Sequence, residues 1–86
     1  MVRICAHISK NNRRIKDELF EFDGDFEIGK FENYIEQICY TFDIPNPVTL
    51  VNHIKNFIMF NHCIYKSDDF IDKINFEKLV IENAKI

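Results

Sequence analysis

Glycine and proline are scarce in this chain, with two residues of each among 86. Because these residues mark loops and turns, their scarcity predicts that most of the chain lies in helices and strands joined by short connections. It also excludes a glycine-rich phosphate loop, since Gly24 and Gly29 stand alone. The short motifs GxSxG, HExxH and CxxC are absent as well. The sequence therefore predicts a protein that is not an enzyme, with no cofactor and no small-molecule substrate.

Long apolar runs are also missing. The longest, FIMF at 57–60, is far shorter than the ~18 residues that identify a membrane-spanning helix. The first nine residues, MVRICAHIS, alternate where a secretory leader has a continuous apolar run. The three cysteines have no framework spacing, and an odd number cannot all pair internally. We expect a cytoplasmic protein with reduced thiols and no contact with a membrane.

The composition is that of one folded domain. The chain is 47% hydrophobic and 29% charged, and its length allows a single domain over residues 1–86. A formal net charge of −3 disfavours a nucleic-acid partner, because binding to phosphates depends on Lys and Arg. A local basic cluster near one turn is interpreted as a solvated hairpin tip; it comprises Lys10, Arg13, Arg14 and Lys16.

In the first half, hydrophobic periodicity predicts a β-hairpin and a helix. Residues 2–9 alternate apolar and polar, which is typical of a strand with one buried face. Asn11-Asn12 suits a tight turn, because Asn tolerates positive φ, and residues 14–22 form the return strand. The return strand changes parity, so we expect a bulge near Asp17-Glu18 or, alternatively, cover on both faces. Residues 28–42 form an amphipathic helix with an apolar stripe of Ile28, Phe31, Ile35, Ile38, Cys39 and Phe42.

The second half predicts another helix and shorter elements. The helix starts at Asn46-Pro47 or is capped by Thr49, and it runs to residue 60. A strand over part of 57–66 is an open alternative, because FIMF and CIY both suit a sheet. An extended piece at 62–66, a helical turn at 68–74 and a strand at 76–82 follow, and residues 83–86 are expected to fray. The order predicts an α+β two-layer sandwich, with the helices on one face of a mixed or antiparallel sheet.

One candidate site is a zinc centre. Cys5 and His7 lie two apart on a strand and share a face, whereas His62 and Cys63 are adjacent in a later segment. Two Cys and two His form a ligand set that binds zinc tetrahedrally. The spacing is unfavourable, because adjacent residues of an extended chain point to opposite faces. The alternative interpretation has surface histidines and cysteines that fill gaps.

A second candidate is a protein-binding surface. Aromatic residues crowd the second half, and a small domain has difficulty burying all of them. The candidate partner-binding residues are Tyr34, Phe57, Phe60, Tyr65 and Phe70. A group of carboxylates adds a possible electrostatic docking face; it comprises Asp17, Glu18, Glu21, Asp23, Asp25, Glu27, Glu32 and Glu36.

Three hypotheses therefore follow from the sequence. The preferred one is a non-enzymatic interaction module that binds a protein partner or itself through an acidic and aromatic surface. The second is a zinc-dependent structural or regulatory protein. The third is a minimal enzyme with its site at a subunit interface, in which His53 or a carboxylate is the acid or base.

Overall fold

A computed structural model describes residues 1–84 of the chain. Within them, four strands form one antiparallel sheet and two α-helices pack on one of its faces. The strands are β1 (Val2–Lys10), β2 (Arg13–Phe22), β3 (His62–Lys66) and β4 (Lys78–Asn83). The helices are α1 (Phe31–Phe42) and α2 (Val51–Phe60), and the spatial strand order is β2-β1-β4-β3. The predicted α+β two-layer sandwich is thus confirmed, and every strand pair is antiparallel.

The N-terminal hairpin forms as predicted, with its bulge in a different place. Asn11 and Asn12 both have positive φ, which a tight turn between twisted strands requires. Ile8 pairs with Lys16 and Ser9 with Arg14, so the extra residue is Ile15 rather than one of Asp17-Glu18. Downstream of the bulge, Phe20 and Phe22 face the helices and Leu19 faces the other side.

The core lies between the helices and one face of the sheet. The even-numbered residues of β1 point into it, and α1 covers them with most of the predicted stripe. Ile28 is the exception, because it lies in a 3₁₀ turn before α1 and is exposed, while Tyr34 is buried instead. The buried residues of α1 are Phe31, Tyr34, Ile35, Ile38, Cys39 and Phe42.

Later elements differ from the prediction at their ends. Helix α2 begins at Val51 rather than near Asn46 or Thr49, because residues 44–50 have no regular secondary structure and Leu50 is extended. The helical turn predicted at 68–74 is a 3₁₀ turn at Ser67–Asp69 followed by an irregular segment. Strand β3 at His62–Lys66 is confirmed, and β4 starts at Lys78. Of the residues expected to fray, Asn83 belongs to β4 and residues 85–86 lie outside the described part.

The irregular segment after β3 has a packing reason. Phe70 and Phe76 are both buried and meet edge to face, with ring centroids 5.6 Å apart. A helical turn through 68–74 would place Phe70 and Ile71 on one face, yet Ile71 points fully into solvent. Burial of the aromatic pair therefore overrides the local helical spacing.

Candidate interaction surfaces

The solvent-facing side of α2 carries three exposed apolar side chains next to the polar Asn52 and Lys55. Val51 is 79% exposed, Ile58 48% and Met59 57%, and these residues lie on the side of the helix opposite buried His53 and Phe57. Lys55 is the charged residue among them. Exposed apolar side chains that lie together on a surface helix are candidates for a protein contact. We call Val51, Ile58 and Met59 the outer face of α2.

A hollow with apolar side chains on one part of its wall and Glu27, Asn61 and Asn83 on the rest extends the outer face towards the start of α1. Phe26, Ile28 and Ile58 line a cavity of about 710 Å³, with the buried ring of Phe57 as part of its floor. Phe26 stacks against Phe57 with ring centroids 5.7 Å apart, which holds the loop before α1 next to α2. The exposed apolar surface is therefore shared by two segments distant in sequence.

The predicted aromatic surface is mostly buried, which corrects the sequence-based expectation. Tyr34, Phe57, Tyr65 and Phe70 are all core residues, because four strands and two helices provide enough cover for their rings. Phe60 is the one residue of the predicted five that is accessible, at 58% exposure. The accessible apolar surface is chiefly aliphatic.

The edge of β3 borders a second surface. A groove of about 550 Å³ runs between α2 and β3, lined on the strand side by His62, Ile64 and Lys66. The lining residues from α2 and its start are Leu50, Asn52, His53, Asn56 and Phe60, and Asp69 closes one end. The groove therefore follows the strand for its whole length.

The hydrogen bonds of β3 show which backbone groups face this groove. The Asn83 amide donates to the Asn61 carbonyl at 2.8 Å, so these two residues form a hydrogen-bonded pair. Hydrogen-bonded and non-hydrogen-bonded pairs then alternate along the antiparallel strands. Cys63 consequently bonds to β4, whereas the amides and carbonyls of His62 and Ile64 point away from it. No strand within residues 1–84 pairs with them. The outward Lys66 amide donates to the Asp69 carboxylate at 2.9 Å.

The other edge strand of the sheet is β2, and unlike β3 it has a bulge and several charged residues along its edge. By the same alternation Asp17, Leu19 and Glu21 turn their amides and carbonyls outward, because even-numbered positions bond to β1. This edge carries charges and the bulge at Ile15, which are common features that prevent a further strand from pairing. The Lys16 ammonium also donates to the Phe42 carbonyl at the end of α1.

His53 is the best-connected polar side chain of the domain. Its Nδ1 accepts a hydrogen bond from the Leu50 amide at 2.9 Å, and its Nε2 lies 3.3 Å from the Asp69 carboxylate. Its ring stacks on Tyr65 at 4.3 Å between centroids, and the Tyr65 hydroxyl is 2.9 Å from the Thr49 hydroxyl. Burial raises the pKa of Tyr65 well above its usual range, so the phenol stays protonated.

This geometry gives His53 a structural role. Because a backbone amide only donates, Nδ1 carries the lone pair and the ring proton lies on Nε2, facing Asp69. A general base needs a free lone pair, and the one on His53 is used by the start of α2. Thr49, the predicted helix cap, is likewise used by Tyr65.

The predicted zinc ligands do not come together. Cys5, His7 and His62 lie on the sheet face opposite the helices, whereas Cys63 points into the core. Glu82 stands between Cys5 and His62 in the strand pairing. Across residues 1–84, no three His, Cys or carboxylate side chains gather closely enough to hold a metal ion. The alternation of β3 separates His62 from Cys63, as its spacing suggested.

The thiols fall into two classes. Burial raises the pKa of both Cys39 and Cys63 to about 12, so each is a protonated core residue at neutral pH. Cys5 is half-buried on the face opposite the helices. The expectation that cysteines fill gaps therefore agrees with the positions of the two core thiols.

His7 lies at the centre of the sheet face opposite the helices. Burial, followed by the nearby Arg14 and Lys78 cations, lowers the pKa of His7, while Glu82 and Asp17 partly oppose this shift. Its side chain is nearly buried despite the absence of a helix on this side within residues 1–84. The neighbouring strands therefore shield it.

Several of the surface charges are paired. Arg3 meets Glu21 at 2.9 Å, Arg14 meets Asp17 at 3.0 Å, and Lys30 meets Glu27 at 2.7 Å. All of these pairs lie at the surface, where screening by water makes ion pairs weak contributors to stability. They neutralise part of the predicted acidic face and of the basic hairpin tip.

No family model, curated protein or solved structure matches the chain. Neither helix within residues 1–84 is long and apolar enough to cross a membrane.

Proposed function

We propose that this chain is a non-enzymatic interaction module that binds a protein partner or a second copy of itself. The observation that carries the proposal is the outer face of α2, where Val51, Ile58 and Met59 are exposed on a helix whose other side is already buried. The docking surface is aliphatic rather than the acidic and aromatic one expected from the sequence.

Covering the outer face of α2 would remove apolar surface from water. Each square ångström of apolar surface removed from water contributes about 25 cal/mol, and monomeric proteins seldom expose large contiguous apolar patches. The outer face continues into the hollow lined by Phe26 and Ile28, so one partner surface is able to cover both. Lys55 provides a positive charge within this face, which favours a partner that offers a carboxylate among apolar residues.

The interpretation of His53 supports a role without catalysis. The ring is held at both nitrogens by Leu50 and Asp69, which leaves it no free lone pair for proton transfer. Cys39 and Cys63 are buried and protonated at neutral pH, which makes them poor nucleophiles.

The test removes the apolar character of the outer face without changing the fold. Val51→Ser/Met59→Ser changes two exposed positions, which typically alters stability by within about 0.5 kcal/mol per residue. A matched control is Tyr40→Ser/Ile71→Ser, because these side chains are each 88% exposed and belong to segments other than α2. Far-UV circular dichroism checks that both variants remain folded.

Two measurements read out binding. Sedimentation velocity detects self-association, and quantitative affinity purification from the source cells, followed by calorimetry with the purified partner, detects a different protein. We expect the outer-face variant to weaken binding at least ten-fold and the control to leave it unchanged. Equal binding by all three proteins, or no association of the wild type in either measurement, would overturn the proposal.

A further inference from the structure

We propose that two copies of this chain pair through the free edge of β3, in an antiparallel arrangement centred on Ile64. This inference goes beyond the proposed function, because it concerns a different surface and names a second copy as the occupant of the groove between α2 and β3. The outer face of α2 is not required for this pairing and remains available to another partner.

The hydrogen-bond pattern of the edge is self-complementary. His62 and Ile64 present their amides and carbonyls outward, and in an antiparallel pair outward positions meet outward positions. With Ile64 on the two-fold axis, Ile64 faces the partner's Ile64 and His62 faces the partner's Lys66. Ile64 then exchanges two backbone hydrogen bonds with the partner's Ile64, and the His62 amide donates to the partner's Lys66 carbonyl, as the two-fold symmetry of an isologous interface requires. The Lys66 amide keeps its bond to Asp69 and takes no part in the pairing.

The charges at the two ends of β3 favour the antiparallel direction. Glu82 pairs with His62 at one end, and Lys78 pairs with Lys66 at the other. Antiparallel pairing places the acidic end of one protomer beside the basic end of the other, whereas parallel pairing would place the four lysines at the same end. Like charges at neighbouring strand positions are destabilising, so the antiparallel arrangement is preferred.

The centre of the proposed interface is apolar and uncharged. Ile64 pairs with Val80 within the protomer, so the two-fold arrangement joins two such pairs into one continuous apolar row across the sheet. The short edge has five residues. In contrast, β2 has a bulge at Ile15 and charged residues along its edge, both of which oppose pairing.

The first test uses the position of Ile64 opposite the partner's Ile64 across the two-fold axis of the proposed dimer. Ile64→Lys and Ile64→Glu each place two like charges opposite one another, so each variant alone should be monomeric. An equimolar mixture should form a heterodimer, because each lysine then faces a glutamate. Native mass spectrometry with one variant ¹⁵N-labelled distinguishes the heterodimer from either homodimer.

The second test removes one outward amide. Ile64→Pro deletes a donor that the protomer's own sheet does not use, and an edge strand tolerates such a proline. Leu19→Pro is the matched control, because its amide also points outward but belongs to the β2 edge. We expect dimer dissociation constants to rise at least 30-fold for Ile64→Pro and to remain unchanged for Leu19→Pro, with both variants folded by circular dichroism.

The outcomes separate this inference from the proposed function. A monomeric wild type at 0.5 mM, on the order of a weak-dimer dissociation constant, or homodimers that persist in both charged variants, overturns edge pairing. If the wild type is monomeric and a different protein binds the wild type but not Ile64→Pro, the groove is occupied by a strand of that protein and not by a second copy. Binding lost through Val51→Ser/Met59→Ser still supports the proposed function in either case.

Discussion

Replacing His53 by alanine tests how much this side chain stabilises the packing of the second half of the chain. The ring accepts from the Leu50 amide, contacts Asp69 and stacks on Tyr65. The bond at the helix start resembles an N-cap, which contributes about 0.5–2 kcal/mol, and a hydrogen bond to a charged group contributes about 1.5–3 kcal/mol. The aromatic contact contributes about 0.5–1.5 kcal/mol.

The summed contribution of the His53 contacts is large compared with the free energy of unfolding of a domain of this size. Taken together and allowing for non-additivity, these contributions predict a loss of about 3–5 kcal/mol for His53→Ala. An 86-residue domain is expected to have a free energy of unfolding of about 4–13 kcal/mol. Each kcal/mol shifts Tm by about 4–8 °C at this size, so the variant should melt at least ~12 °C lower or fail to fold.

Two further variants separate the contributions. His53→Phe keeps the stack on Tyr65 and loses both hydrogen bonds, so it should fall between the wild type and His53→Ala. His62→Ala is the control, because His62 is exposed and its ring bonds to the Phe60 carbonyl on the surface. Urea unfolding followed by circular dichroism measures the free energies. A loss below about 1 kcal/mol for His53→Ala would refute the structural role argued for this ring.

Three other predictions concern thiols, a helix end and pH. At pH 8 an aromatic disulfide reagent should label Cys5 in the folded protein and reach Cys39 and Cys63 only after urea unfolding, because burial raises the pKa of both to about 12. Asp43→Gly should raise the free energy of unfolding by about 0.5 kcal/mol, since Asp43 ends α1 with φ 56°; Asp43→Val should lower it. Burial lowers the pKa of His7 below its usual 6.5, so the unfolded chain binds more protons near that pH. Stability should therefore fall as pH drops from about 7 to about 5.5, and His7→Gln should flatten this slope.

Local signals in the sequence predict a helix, strand or turn correctly where tertiary packing requires the same conformation. Asn11-Asn12 suits positive φ, and the turn adopts it. The stripe of α1 has helical spacing and is buried, apart from Ile28 at its start. The extended piece at 62–66 is also correct, which resolves the open alternative: α2 ends at Phe60 and the sheet begins at His62.

Predictions of secondary structure fail where a side chain makes a tertiary contact that outweighs its local conformational preference. Thr49 is a good helix cap by composition, yet its hydroxyl bonds to Tyr65 and the helix starts two residues later. The helical spacing of Phe70 and Ile71 gives way to burial of the ring against Phe76. Both contacts join residues that are not adjacent in sequence, so periodicity contains no information about them.

Candidate sites were harder to predict than elements, because a site depends on which strands become edges. Apolar residues of β3 gave a strand signal, but strand order alone places Ile64 beside an unpaired edge. The zinc hypothesis failed for a related reason, since Glu82 lies between Cys5 and His62 once the strands are ordered. Exposure of aromatic residues was overestimated, because the sheet and two helices bury Phe57 and Tyr65 fully.

The two edges of the sheet show why the proposed surfaces do not follow from folding alone. On β2, Lys16, Asp17 and Glu18 lie along the edge and oppose a further strand, while β3 has Ile64 at its centre. Folding of the monomer requires little of the outer face of α2, because polar residues there would leave the buried face of the helix unchanged. We therefore propose that the exposed aliphatic side chains of α2 and the uncharged centre of the β3 edge both serve interactions outside the monomer.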